Sequence, residues 1–374
     1  MDLLILGSLL LTGGLLSLAG VFDGDDDKDE SPPDDVHVGT EGEDTLSGDS
    51  GIFRGLHGDD QITVSGTAEA RGNHGNDTLT ADDDSTAYGG EGQDRIDASG
   101  NSLADGGSGD DTLRAHDTSV ADGGVGRDSI YGWDATVSYG GSDGDTLRLL
   151  DTATGYGGDG RDELTVFDNA TGYGGAGPDD ISASSNAAAY GGAGNDLMIG
   201  SGHVYGDDGD DRLRNASSED SSLFGGAGDD LIQTGAGHAD AGAGNDIIEL
   251  NWASRHGDLG AEHIGLTVTG GEGGDTFNAI ANLAQDDEVF VITDFNPAQD
   301  QLNLEIPVEF SGQETIASTA FADHTEITVT LPDITAYIDG SLQTVAQVLH
   351  LRLDGVIDPS LLTYNVVYTS GPQS

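Results

Sequence analysis

The chain has no cysteine, and only 12 of its 374 residues are lysine or arginine. Without thiols, no disulfide can staple the fold, and a protein working outside the cell must draw its stability from another source. Against those 12 basic residues stand 69 aspartates and glutamates, a formal net charge of −57. Nucleic acid and anionic membrane surfaces are poor partners for such a chain, and cations are natural ones. Aromatic residues make up only 6%, which argues against an ordinary globular core. Glycine, by contrast, occurs 61 times, a composition that fits either disorder or a repeat with a thin core.

Periodicity favours the repeat. The pattern glycine, glycine, any, glycine, any, aspartate, any, apolar stands at Gly89 to Ile96 and returns at Gly106, Gly123, Gly157, Gly174, Gly191 and Gly225. Looser copies begin at Gly39, Gly55, Gly72, Gly140, Gly206, Ala241 and Gly270, making 14 in all. The closing aspartates at 60, 77, 94, 111, 128, 145, 162, 179 and 196 hold a spacing of 17 through eight intervals, which then becomes 15, 19, 16 and 29. A fixed period of this size predicts a solenoid.

The columns of the repeat predict how each coil is built. Ile62, Leu79, Ile96, Leu113, Ile130, Leu147, Leu164, Ile181 and Met198 form one inward row, with Val64, Ala81, Ala98, Ala115, Leu149 and Val166 two residues on, as strand alternation requires. Ala70, Ala87, Ala104, Ala121, Ser138, Gly155, Gly172 and Ala189 line the returning strand, so a large residue faces a small one. Tyr88, Tyr139, Tyr156, Tyr173, Tyr190, Tyr205 and Phe224 precede the glycines and are expected to stack as an aromatic ladder rather than to form a carbohydrate strip. At the opposite turn Asp83, Asp117, Asp134, Asp151 and Asp168 alternate with Gly66, Gly100 and Ser185. Asx-type turns account for that composition.

These motifs resemble the RTX, or haemolysin-type, calcium-binding repeat of secreted bacterial proteins. The resemblance spans residues 39–277. It implies a parallel β-roll in which glycine-rich turns offer carbonyl oxygens and a carboxylate to calcium ions lying between coils. The chemistry agrees, because calcium seeks about six to eight oxygens and a loop wraps its carbonyls around one ion only where glycines permit positive φ. The metal-binding residues implied are the aspartates Asp44, Asp60, Asp77, Asp94, Asp111, Asp128, Asp145, Asp162, Asp179, Asp196, Asp211, Asp230, Asp246 and Asp275. With them come the glycines Gly89, Gly90, Gly92, Gly106, Gly107, Gly109, Gly123, Gly124, Gly126, Gly140, Gly141, Gly157, Gly158, Gly160, Gly174, Gly175, Gly177, Gly191, Gly192 and Gly194. The family places a motif about every nine residues, whereas this chain carries one per 17-residue coil, so a single ion column is expected.

The flanks read differently. Residues 1–22 contain an apolar run, Leu3 to Phe22, with no basic residue before it. A small-x-small site at Ser17-Leu18-Ala19 suits a cleaved signal, and the length suits a membrane anchor. Residues 23–38 are an acidic linker, and Leu250 to Thr269, containing Trp252, His256 and His263, reads as a surface insertion. Residues 278–374 lose the glycine pattern and show strand-like runs at 288–295, 301–306, 326–331, 344–353 and 362–368, a β-rich capping or secretion region. The run Val289 to Phe295 followed by Asp300 to Leu304 also resembles the family's closing segment.

Three patterns mimic other chemistry. Gly140 to Gly144 matches a hydrolase elbow, and Gly155 to Gly160 and Gly172 to Gly177 match a dinucleotide fingerprint. All sit in register with the repeat, where the helix those motifs need cannot follow. His57 and His74 hold equivalent turn positions in successive coils and read as exposed turn residues or as a pair able to meet a transition metal. The sequence thus leads to an all-β, non-enzymatic, calcium-binding protein, secreted or held at a bacterial surface. It would be structural or adhesive, with an extracellular glycan or matrix as partner. The alternatives are an enzyme with a site in residues 250–374, or a glycan-binding module using the tyrosine row.

Overall fold

The 17-residue period is the length of one coil, as the coil around Gly89 illustrates. Thr86–Glu91 forms a six-residue strand, Gly92 to Asp94 turn the chain, Arg95–Ala98 forms a four-residue strand, and residues 99–102 turn it back. Each strand pairs in parallel with its equivalents in the coils before and after, so Ile96 lies beside Leu79 and Leu113, and Ala87 beside Ala70 and Ala104. The result is a parallel β-solenoid with two sheets, one of 18 strands built on the six-residue strands and one of 16 built on the four-residue strands. The computed structural model describes residues 35–215, 221–250, 266–280, 289–307, 310–338, 341–355, 357 and 362–369. Among these no α-helix occurs, and none is long and apolar enough to cross a membrane.

The core is thin and follows the expected columns. Ile62, Leu79, Ile96, Leu113, Ile130, Leu147 and Leu164 are fully buried against the small row of Ala70, Ala87, Ala104, Ala121 and Ser138. Outward residues alternate with them along every strand, as the pleat demands. On the outer face of the six-residue sheet Tyr139, Tyr156, Tyr173, Tyr190, Tyr205 and Phe224 stack in sequence, with centroids 4.6–5.2 Å apart and planes within 12° of parallel. Their faces are therefore taken up by one another and their edges point outward. Tyr88 stands apart from this stack, since Asp105 and Asp122 occupy the rungs between it and Tyr139.

Several expected boundaries move. The linker ends earlier than Val38, because Val36–Val38 already pairs in parallel with Ile52 to Arg54. Beyond residue 277 the two-sheet path continues without the motif: Val289–Ile292 and Gln301–Pro307 add to the two sheets in parallel register, followed by Ser341–Asp354 and Tyr364–Thr369. Strand alternation in these segments suffices to extend the stack. Thr315–Ala320, which carries no strong apolar alternation, is a further strand, and with His324–Ile338 and Ser341–Asp354 it forms an antiparallel group. The insertion is shorter than expected at both ends, since Leu250, Leu266 and Val268 are buried in the stack. Residues 251–265, with Trp252, His256 and His263, lie outside the described residues, as does the apolar segment 1–22.

Candidate functional site: the aspartate row of the glycine turn

Local chemistry builds the turn. Gly107 and Gly109 hold φ of +101° and +130°, where a side chain would be strained and would strike the carbonyl of the equivalent glycine one coil earlier. Gly106, Gly107 and Gly109 can therefore stack closely on their neighbours, which sets their carbonyls along one side of the solenoid. The motif aspartate follows two residues later and turns its side chain inward. From Asp60 to Asp275 these aspartates are at most 2% exposed, although they are the ionisable residues of an already highly acidic chain.

Each carboxylate has one satisfied oxygen. Its Oδ1 accepts a hydrogen bond from the backbone N–H of the aspartate one coil earlier: Asp77 N–H to Asp94, Asp94 N–H to Asp111, Asp111 N–H to Asp128, and so on at 2.6–3.1 Å from Asp44 to Asp300. The ladder survives the irregular spacings, spanning 15, 19, 16 and 29 residues at 2.8–3.0 Å. The other oxygen is different. In Asp60, Asp77, Asp94, Asp111, Asp128, Asp145, Asp162, Asp179, Asp196, Asp211, Asp230 and Asp246, Oδ2 is buried without a hydrogen-bond donor. A buried unpaired carboxylate oxygen is costly.

The surroundings of that oxygen repeat as well. A Cβ placed on Gly39 would stand 2.5 Å from Asp44 Oδ2 and 2.8 Å from the carbonyl oxygen of Gly55, one coil on. The same pair of oxygens, the carboxylate of its own coil and the glycine carbonyl of the next, converges on Gly55, Gly72, Gly89, Gly106, Gly123, Gly140, Gly157, Gly174, Gly191 and Gly206. Two acceptors thus face one spot with no donor between them. In one coil Ala241 replaces this glycine. Among the described residues no three acidic or histidine side chains converge, so a cation held here would take most of its ligands from backbone carbonyls. A donor set made only of oxygens suits a hard divalent cation.

Electrostatics point the same way. Burial pushes the carboxyls of Asp94, Asp128, Asp145, Asp179 and Asp230 up to about 7, from an ordinary 3.8. It pushes Asp77, Asp111, Asp211 and Asp246 up to about 6. Loss of water is the largest cause; the donated N–H opposes it and the neighbouring carboxylates add to it. In the bare fold the row holds its negative charge unwillingly.

The ends of the row are closed by ordinary hydrogen bonds. Asp44 Oδ2 accepts from the Thr40 N–H at 2.5 Å and from its hydroxyl at 2.9 Å. At the far end Asp300 Oδ2 accepts from the Asn296 N–H at 2.7 Å, and Asp294 receives the N–H groups of Gly270 and Gly271 at 2.9 and 2.7 Å. Sequence reasoning did not assign these roles to Thr40, Asp294, Asn296 and Asp300. The signal for Asp300 was present, since Asp300-Gln301-Leu302 repeats aspartate, any, apolar. A second ladder was also missed: Asn76, Gln93, Arg127, Asp229 and Asn245 each donate a backbone N–H to the Asx side chain one coil earlier, at 2.7–3.0 Å.

The opposite turn is built otherwise. Asp83, Asp117, Asp134, Asp151 and Asp168 adopt φ of 56–63° and are exposed. Three of them accept a backbone N–H from the preceding coil, Asp83 from Gly66, Asp117 from Gly100 and Asp134 from Asp117. This is turn chemistry, and none of these carboxylates carries a buried orphaned oxygen. The elbow-like and dinucleotide-like motifs fall on strands and turns of the stack, for Val137–Ser142 leads to Thr146–Leu149 and Thr154–Asp159 to Glu163–Val166. No protein-family model matches the chain, and no curated protein matches it.

Proposed function

We propose that the chain is a calcium-binding repeat protein of the RTX type, secreted or held at a cell surface, whose coils order when calcium occupies the glycine turns. The observation that carries this reading is the contrast along one row. The two ends, Asp44 and Asp300, satisfy their second oxygen with N–H donors, while the twelve aspartates from Asp60 to Asp246 leave theirs buried without one. A cation set among Oδ2 and the glycine carbonyls of adjacent coils supplies the missing counter-charge and ties two coils together. Asp60, Asp77, Asp94, Asp111, Asp128, Asp145, Asp162, Asp179, Asp196, Asp211 and Asp230, with the glycines of their own turn and the next, are the residues that hold it. Binding free energy then becomes folding free energy. Extracellular calcium modules bind at about 10⁻⁴ to 10⁻³ M, which keeps such a chain unfolded in a calcium-poor cytoplasm.

The role that follows is structural or adhesive, a rod-shaped element with residues 278–374 protecting its C-terminal end. Calcium titrated into chelator-treated protein is expected to convert a disordered circular-dichroism spectrum into a β spectrum over a narrow range. Magnesium, smaller and slower to shed water, is expected to fail. A full β spectrum in chelator at neutral pH would sink the proposal.

A further inference from the structure

The N-terminal coils depart from the repeat in two linked ways. Where later coils place Gly90, Gly107 and Gly124 at positive φ, these coils place Leu56 at +89° and Asn73 at +77°. A bulky residue in that region is an outlier, and such outliers cluster at functional sites. The residues that follow are His57 and His74, which pair in register on neighbouring strands. Their rings stack with centroids 4.7 Å apart and planes 27° from parallel.

Each ring is also held from the side. His57 Nδ1 lies 3.0 Å from a Glu41 oxygen, and His74 Nδ1 lies 3.1 Å from a Glu91 oxygen, so the column runs glutamate, histidine, histidine, glutamate. A carboxylate at Nδ1 fixes the proton there and leaves the lone pair on Nε2. Metal-ligating histidines are supported in this way, with the far nitrogen donating to a carboxylate that orients the ring and raises its basicity. Both side chains are about half exposed, His57 58% and His74 49%, so an ion in solution can reach them.

We propose that His57 and His74 form a two-histidine transition-metal site that clasps the first coils, taking a divalent ion of the zinc or copper type through their Nε2 atoms. To bring both Nε2 atoms to a metal-to-nitrogen distance of about 2.0–2.1 Å, the two rings must turn out of their stack so that their in-plane lone pairs converge, which half-exposed side chains on neighbouring strands permit. Water completes the coordination, since Glu41 and Glu91 are engaged at the Nδ1 atoms and no set of three ligating side chains forms among the described residues. Imidazole nitrogen selects zinc, copper or nickel over calcium, and the order of affinities favours copper. The site therefore differs in chemistry from the oxygen-lined row, and it ties together coils in which leucine and asparagine replace a turn glycine. It stands independently of the calcium reading.

The test uses the full chain in millimolar calcium, titrated with zinc chloride and with copper(II) chloride by calorimetry. One ion per chain is expected. His57→Ala and His74→Ala should each weaken binding at least tenfold, while His116→Ala, at a distant turn, should leave it unchanged. The copper(II) electron paramagnetic resonance spectrum of the unaltered chain should show coupling to two nitrogens, a readout that needs no variant. Zinc should raise the unfolding temperature of the parent chain and not of either histidine variant. Oxygen-only coordination in the spectrum, or equal affinity in parent and both variants, would overturn the proposal.

Discussion

If the buried aspartate row is what keeps the ion-free chain from folding, protons should partly replace calcium. The perturbation is removal of divalent ions by chelator, followed by a lowering of pH from 8 to 5. In the fold Asp94, Asp128, Asp145, Asp179 and Asp230 titrate at about 7 because burial disfavours their charge, whereas in the unfolded chain they revert to an ordinary 3.8. The folded value lies above the unfolded one. The stabilisation by protonation is therefore complete below the unfolded value and is lost as pH rises through about 6 to 7. Between pH 8 and pH 5 such a carboxyl gains protonation free energy in the fold and almost none in the unfolded chain, on the order of 2–3 kcal/mol for a rung whose neighbours do not titrate with it. Two or three rungs reach the net stability of an ordinary domain, about 5–15 kcal/mol. The assay is far-ultraviolet circular dichroism in chelator, stopped at pH 5 to stay above the isoelectric point near 4.1. A β spectrum should appear on acidification, with its midpoint between about 5 and 7. No change between pH 8 and 5, or full β structure at pH 8, would refute the reasoning.

The remaining predictions concern position and shape. Asp128→Ala, in the interior of the row, should raise the calcium midpoint and lower stability in calcium by roughly 2–4 kcal/mol, while Asp134→Ala at the exposed opposite turn should cost under about 1 kcal/mol; chemical denaturation in calcium compares them. Asp128→Asn should act with opposite signs, lowering calcium affinity while making the chelator-treated chain easier to fold at pH 8, as read by titration and dichroism side by side. Gly123→Ala places a methyl between Asp128 Oδ2 and the Gly140 carbonyl; because Ala241 fills the same place in another coil, it should reduce the number of ions bound, by calorimetry, without abolishing the fold. With coils about 4.8 Å apart, small-angle scattering in calcium should report a rod, and a compact sphere would contradict it.

Much of this architecture was legible because each coil repeats one solution to the same packing problem. Ile96 and Ala98 alternate with Arg95 and Asp97, and Ala87 faces them from the returning strand, so period 2 within period 17 fixes which side chains are inside. The tyrosine row was legible for the same reason, and its stacking follows from in-register parallel pairing. What the sequence did not reveal was that the motif aspartates would be buried. Aspartate in a glycine-rich turn reads as solvent-facing, whereas in the fold Oδ1 is turned inward onto the N–H of another coil. The continuation of the stack past residue 277 was hidden too, because Val289–Ile292 and Gln301–Pro307 join both sheets without any glycine turn to mark them.

Where the chain tolerates changes of length identifies the constrained side. After Asp196 successive coils gain and lose residues, yet the Asp196, Asp211, Asp230 and Asp246 rungs keep their hydrogen bonds at 2.8–3.0 Å. From the coil of Asp196 to that of Asp275, strands of four residues end at Gly200, Asn215, Thr234 and Leu250, and strands of six begin at His203, Ser222, His238 and Thr267. All the variation lies between those ends, at the opposite turn. The glycine turn does not vary there because it is stitched in both directions, the aspartate N–H reaching forward to the next carboxylate and the residue before it reaching back to the previous Asx side chain. Adding a residue to that turn would break two bonds per coil and shift the glycine carbonyls away from Oδ2. Adding one to the opposite turn disturbs neither. That asymmetry follows from the two hydrogen-bond ladders, and it is the one that the proposed single row of sites would require.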